Sequence, residues 1–171
     1  MKKVHFYVRK ILASSVLFMF LFTFVSGNVM AEGFTPRYSA PSRSDSVFYA
    51  GNPFFQAGYG MPNCTAYAYG RAWEILGNQP NLSRGNAGQW WNYNKNGGYY
   101  EYGSTPRLGA VACWDKYDSN QGHVAVVEAV DGNQVTISES HYNGVNFDTR
   151  VRNADMSNYL TNMRFLGYIY I

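Results

Sequence analysis

An α+β fold is predicted by three features of this 171-residue chain. First, Ala66, Tyr69, Trp73 and Leu76 recur three or four apart, the spacing of one buried helical stripe. Second, HVAVVEAV (His123 to Val130) and QVTISESHY (Gln134 to Tyr142) flank Asp131-Gly132-Asn133, which reads as a β-hairpin. Third, RFLGYIYI (Arg164 to Ile171) closes the chain as another strand. One early helix followed by antiparallel strands is the α+β pattern.

The elements follow in order. Residues 1–31 begin with four basic side chains and no acid, run uncharged from Ile11 to Val25, and end in a V-x-A site at Val29 and Ala31. That is the layout of a secretory signal peptide. The fifteen uncharged residues fall short of the roughly 20 that a membrane-spanning helix needs, so cleavage after Ala31 is expected rather than anchoring. Residues 32–46 are rich in Ser and Pro with no apolar period, and are expected to form a flexible linker. The globular domain is then 47–171. Its helix is expected over Cys64 to Leu76, capped by Asn63 and stopped by Gly77 and Asn78. Leu82 to Asn94 has loop chemistry with a short helix around Ala87 to Tyr93, and LGAVACW (Leu108 to Trp114) is an apolar strand.

The formal charge of +3 misleads. Four of the 14 Lys and Arg lie in residues 1–31, leaving 10 against 11 Asp and Glu in the remainder. No basic cluster survives there, so nucleic-acid binding has no support. The spacings of metal-binding His or Cys motifs, a calcium loop and phosphate-binding glycine loops are all missing, and neither a metal nor a cofactor is expected. Both cysteines, Cys64 and Cys113, lie beyond the signal. They could pair as a disulfide, though two cysteines are few for a disulfide-built secreted domain.

Cys64 has a particular address. Unpaired N–H groups and the positive end of the dipole at a helix start favour a thiolate and can hold an oxyanion. A packed structural cysteine is the plainer alternative. Thiol catalysis also needs a base and a group to orient it. The remaining histidines are His123 and His141, and His123 opens a strand behind Gly122. Side chains alternate along strands. A three-residue loop, Asp131 to Asn133, pairs Val130 with Gln134, sets His123 opposite His141 and makes Glu139 a diagonal neighbour on the same face. Glu128 then faces away. A two-residue turn would flip Glu139 to the wrong side. Glu139 is therefore either an orienting carboxylate or a solvated strand residue. Cys113, alternating with Val111, reads as a core filler.

NCTAYAYGRAW, RLGAVACW and GHVAVVEAVDGNQVTISES, in that order, resemble the CHAP domain, a branch of the NlpC/P60 and papain-like cysteine amidohydrolases and peptidases, from about Asn52 to Ile171. The resemblance implies a papain-like fold whose N-terminal helix carries the nucleophile and packs on an antiparallel β-sheet. It implies catalytic roles for Cys64 as nucleophile, His123 as general base and Glu139 as its acidic partner. It departs at His141, where the family often has Asn. The implied activity is a secreted, cell-wall-associated peptidoglycan hydrolase, either an N-acetylmuramoyl-L-alanine amidase or an endopeptidase; a monomer is expected, apart from the resemblance. A catalytically silent wall-binding module with the same fold is the alternative. Tyr67, Trp90, Trp91 and Tyr142 are candidates either for groove walls or for the core.

Overall fold

The computed structural model describes residues 33–117, 119–157 and 159–171; the expected signal peptide lies outside these. Helix α1 spans Pro53–Gln56, α2 Cys64–Leu76 and α3 Trp90–Gly97, the last preceded by a 3-10 turn over Ala87–Gln89. The strands are β1 Glu101–Gly103, β2 Val111–Lys116, β3 Ser119–Asp131, β4 Gln134–Glu139, β5 Asp148–Asn153 and β6 Arg164–Tyr170. They form a six-stranded sheet in the order β1-β6-β2-β3-β4-β5, antiparallel throughout. The fold class is α+β, with the cysteine-bearing helix on an antiparallel sheet. None of the helices among the described residues is long and apolar enough to cross a membrane.

Helix α2 has the bounds its stripe predicts. The Asn63 side chain accepts from the Thr65 backbone N–H at 3.1 Å and from the Thr65 hydroxyl at 2.9 Å, capping the first turn. Gly77 ends the helix at φ 70°, the left-handed conformation that glycine adopts without penalty. Burial exceeds a single stripe, however: every residue from Cys64 to Ala72 is buried. One face meets Val111, Cys113, Val124, Val126 and Ile169 of the sheet. The other is covered by the chain before α1. The aromatic ring of Phe48 lies so close over Gly70 that a Cβ there would sit 2.6 Å from it.

This covering corrects the expectation of a flexible linker over 32–46, at least from residue 33 onward. The segment has no regular secondary structure, but it is tied to the domain. The Arg37 backbone N–H donates to Glu128 at 2.8 Å, and Arg71 donates to the Thr35 carbonyl at 2.7 Å. Both contacts end on buried charged side chains. A composition rich in Ser and Pro excludes helix and strand, but not a packed irregular strap.

The far face of the sheet carries a second apolar layer, including Trp114, Ala125, Val127, Val135, Ile137 and Tyr168. The hairpin register decides which side chains of β4 join it. Asp131 pairs with Gln134, so the turn has two residues, Gly132 and Asn133, not the three expected. The ladder then shifts between Val127 and Ala129, leaving Glu128 unpaired in a β-bulge. Beyond the bulge Val127 pairs with Ile137 and Val126 with Ser138, the same frame that a three-residue loop would have produced. The wrong turn count and the unforeseen bulge cancel, and Glu139 ends on the face of His123.

Candidate active site

Cys64, His123 and Glu139 come together where the start of α2 meets β3 and β4. All three are buried, at 8%, 6% and 0% exposure. Nε2 of His123 lies 2.6 Å from Oε2 of Glu139, so the ring nitrogen left for the thiol is Nδ1. Burial alone would drive the His123 pKa down. The neighbouring Cys64 sulfur, followed by the Glu139 carboxylate, outweighs that and raises it to about 9. Burial likewise works against the Glu139 charge, yet His123, Tyr159 and His141 together hold its carboxyl below the usual carboxylate value. The Cys64 backbone N–H donates to no acceptor among the described residues, since the Asn63 cap is spent on Thr65.

The position of His123 depends on close backbone approach. A Cβ on Gly122 would stand 2.1 Å from the Trp114 carbonyl oxygen and 2.6 Å from the Gly88 nitrogen. A Cβ on Gly88 would in turn meet the Gln121 carbonyl at 2.4 Å. Two bare glycines thus let the 3-10 turn close against β3 beside the histidine. Just ahead of it, Asp115 pairs with Gly122 but Lys116 with Ser119, so Asn120 and Gln121 bulge out of the ladder. Gln121 thereby reaches the cleft in front of Cys64.

Several members of the site were not foreseen. The Tyr159 hydroxyl lies 2.8 and 2.7 Å from the two Glu139 oxygens, and burial followed by the Glu139 charge keeps this phenol protonated. Arg150 Nε stands 2.9 Å from Glu139 Oε1, at ion-pair distance but without an aligned hydrogen bond. Trp114, fully buried, lies against His123 with ring centroids 5.7 Å apart and excludes water from one side of the pair. No periodicity marks Tyr159 or Arg150, because they reach Glu139 from the segment after β5 and from β5, an edge strand with no apolar alternation.

His141 follows the end of β4, which stops at Glu139 rather than running on to Tyr142. Its ring stacks on that of His123, with centroids 5.3 Å apart and planes 16° from parallel. Its Nε2 is 3.5 Å from Glu139 Oε1 and has no hydrogen-bond partner among the described residues. His123, Glu139 and His141 place three possible metal-ligand atoms within 4.8 Å of one another. Near-parallel rings, however, aim their nitrogen lone pairs side by side rather than at one point, and Arg150 adds a positive charge beside the carboxylate. The set fits a charge-bearing catalytic group better than a cation cage. Among the described residues, neither Asn143 nor Asn146 hydrogen-bonds to His123 or Glu139.

A cleft of about 540 Å³ opens in front of Cys64. Of the aromatic candidates only Tyr142 lines it. Tyr67 and Trp90 are fully buried core, and Trp91 packs partly buried against the core and on Tyr102 at 5.1 Å. The remaining apolar walls are Phe54, Tyr59 and Met163. Cys113 is fully buried among apolar side chains, which pushes its thiol pKa up, and neither cysteine is in a disulfide.

The chain resembles two solved structures. One is an N-acetylmuramoyl-L-alanine amidase from Staphylococcus aureus, at 26% identity and a TM-score of 0.46, covering 65% of this chain and 32% of that one. The other is Ly7917, at 23% identity and a TM-score of 0.44, covering 64% of this chain and 53% of that one. The chain thus spans a third to about half of these proteins' lengths. The CHAP domain family model matches residues 54–141, just over half of the 171 residues and the stretch that holds Cys64, His123 and Glu139. On that match, this chain belongs to the CHAP domain family.

Proposed function

We propose that the chain is a cysteine-dependent peptidoglycan hydrolase, exported by residues 1–31, that cleaves an amide bond of cell-wall stem peptides as an amidase or an endopeptidase. The observation that carries this reading is the 2.6 Å contact of His123 with a fully buried Glu139, with the thiol of a helix-opening cysteine close to the same ring. A buried carboxylate on one ring nitrogen fixes the tautomer and supports the imidazolium. A helix start supplies uncommitted N–H groups where negative charge will develop.

The chemistry follows from these positions. The Cys64 sulfur, having given its proton to His123, attacks the amide carbon. The carbonyl electrons move to oxygen, which the Cys64 backbone N–H and a carboxamide donor lining the cleft, such as Gln121, stabilise. The His123 imidazolium donates its proton to the departing nitrogen as the C–N bond breaks, leaving a thioester. Neutral His123 then takes a proton from water, the hydroxide adds to the thioester, and the C–S bond breaks to release a carboxylate and restore the sulfur.

Purified protein is expected to solubilise bacterial cell walls, with Cys64→Ala and His123→Ala each abolishing the release. Mass spectrometry of the released muropeptides assigns the bond cut: a new lactyl–alanine break marks an amidase, and a new peptide end an endopeptidase. Full wall hydrolysis by Cys64→Ala overturns the mechanism. Wall binding with no new amino groups from the unmodified protein identifies a silent binding module instead.

A further inference from the structure

The cleft in front of Cys64 has a marked charge imbalance. Its walls are apolar or neutral: Phe54, Tyr59, Tyr142 and Met163, with the carboxamides of Asn86 and Gln121. No carboxylate lines it among the described residues. Among the described residues, Arg84 is the only Lys, Arg, Asp or Glu in its lining.

That arginine has no strong partner in the protein. Among the described residues it makes no ion pair, and its one hydrogen bond is a 3.5 Å contact from Nη2 to the neutral Gln79 amide. Arg37, Arg71, Arg107, Arg150 and Arg164, by contrast, each face an Asp or Glu within ion-pair distance.

Its backbone is held firmly. Leu82 and Ala87 on either side are buried. The Gly85 N–H donates to the Ser83 hydroxyl at 3.1 Å, and the Asn86 N–H to the Gln89 side chain at 3.0 Å. Trp90 Nε1 donates to the Gly85 carbonyl at 3.3 Å. The loop therefore holds Arg84 on a fixed base between the cleft in front of Cys64 and a neighbouring depression, where its guanidinium touches Gln79. A guanidinium offers a planar fork that matches a carboxylate with two parallel hydrogen bonds.

We propose that Arg84 is a specificity residue that binds a free carboxylate of the substrate peptide beside the scissile amide, so that the site takes the acidic form of a stem peptide over its amidated form. This rests on the hydrolase reading for the word substrate, but the binding preference stands apart from catalysis.

The test uses pairs of synthetic muropeptides identical except that one carboxylate is free or is a carboxamide. The unmodified protein is expected to favour the free acid by about 10-fold or more in kcat/KM, the effect of a charge-assisted hydrogen-bonded pair. Arg84→Ala should collapse that ratio toward one by raising KM for the free acid with little change in kcat. Arg84→Lys should keep part of it, and Arg84→Glu should invert it. A residue that only braced the loop would not produce inversion by Glu together with partial rescue by Lys. Calorimetric titration of the same pairs into Cys64→Ala protein reads the preference without turnover. If the unmodified protein cleaves no amide, the hydrolase reading fails while this titration still decides the role of Arg84. Equal affinity for acid and amide at every carboxylate tried, or a preference that survives Arg84→Ala, overturns the proposal.

Discussion

One hairpin carries two fully buried glutamates, and they do opposite work. Glu128 points to the helix side of the sheet. There it accepts two hydrogen bonds from Arg71, at 2.9 and 2.8 Å, one from the Ser138 hydroxyl at 2.6 Å and one from the Arg37 backbone at 2.8 Å. Tyr67 extends the chain by donating to Ser138 at 2.7 Å. Glu139 points to the other side and meets His123, Tyr159, Arg150 and the more distant His141. Both carboxylates are withdrawn from water and both are well supplied with donors. The difference lies in the principal partner. Arg71 is a permanent cation, and burial of its guanidinium is outweighed by Glu128 and Glu74, which raise its pKa still further. His123 is a cation only while it holds a proton. A carboxylate paired with a fixed charge holds elements together; one paired with a movable proton can take part in chemistry.

Four experiments sharpen or break this contrast, and the largest effect is expected at Glu139. Glu139→Gln keeps the shape and most hydrogen bonds but removes the charge that supports the imidazolium. Wall-hydrolysis rates should fall by about 10²–10⁴-fold, with the thermal midpoint close to that of the unmodified protein. A large drop in midpoint with unchanged specific activity would reverse the roles of the two glutamates.

The next largest effect is on stability. Glu128→Ala leaves Arg71 buried without its main counter-charge, which should cost about 3–5 kcal/mol in denaturant unfolding. Activity measured well below the midpoint should survive. Replacing Arg71 and Glu128 together by Met and Leu should recover most of the loss, because a buried ion pair is often no more stable than an apolar pair of similar volume. Failure to recover would mean that the strap over α2 depends on the charges themselves.

The pH dependence should follow His123. Its pKa is raised to about 9 in the folded protein, so the stabilisation it brings is fully present below its unfolded value and is lost as pH rises through about 9. The alkaline limb of kcat/KM should fall in the same range, as the imidazolium that protonates the leaving nitrogen disappears. Glu139 has the opposite sign: its lowered pKa gives stabilisation present above the unfolded carboxylate value and lost as pH falls through the folded one. Glu139→Gln should move the alkaline limb to lower pH, whereas Glu128→Gln should leave it in place.

The smallest effect belongs to Tyr159→Phe, which removes the hydroxyl that donates to Glu139 and leaves the ring in place. Activity should drop by about 10-fold. A stopped-flow comparison at neutral pH measures it, and an unchanged rate would mean that Arg150 and His141 suffice to hold the carboxylate.

The parts of this arrangement that could be read from the sequence were those set by local periodicity. The bounds of α2 follow from its cap, its stripe and Gly77. The shared face of His123 and Glu139 follows from strand alternation, although the turn has two residues and the bulge at Glu128 supplies the third. Tertiary packing decides the rest. The burial of Arg71 was hidden because a charge on a helix ordinarily faces water, and only the strap of residues 33–46 encloses it. Strand β5, DTRVRN, has no apolar alternation because it is an edge strand, and β1 is only three residues long. Tyr159, Arg84 and Gln121 enter the site from loops and a bulge, whose aim no sequence spacing encodes.

The bulge at Glu128 has a consequence for how this hairpin tolerates insertion and deletion. Strand pairing runs from Ala129 to Thr136 and resumes from Val127 to Ile137, so the ladder has no use for the residue between. Deleting Glu128 outright would join two stretches already in register and leave His123 facing Glu139, whereas deleting any paired residue nearer His123 would turn the histidine to the other side of the sheet. The position most dispensable to the spacing of the catalytic pair is thus the one occupied by the main counter-charge of the cysteine-bearing helix. Deletion at this single site would thus keep the register of the catalytic pair and still remove the counter-charge of Arg71, so its cost would fall on the packing of α2 rather than on the facing of His123 and Glu139.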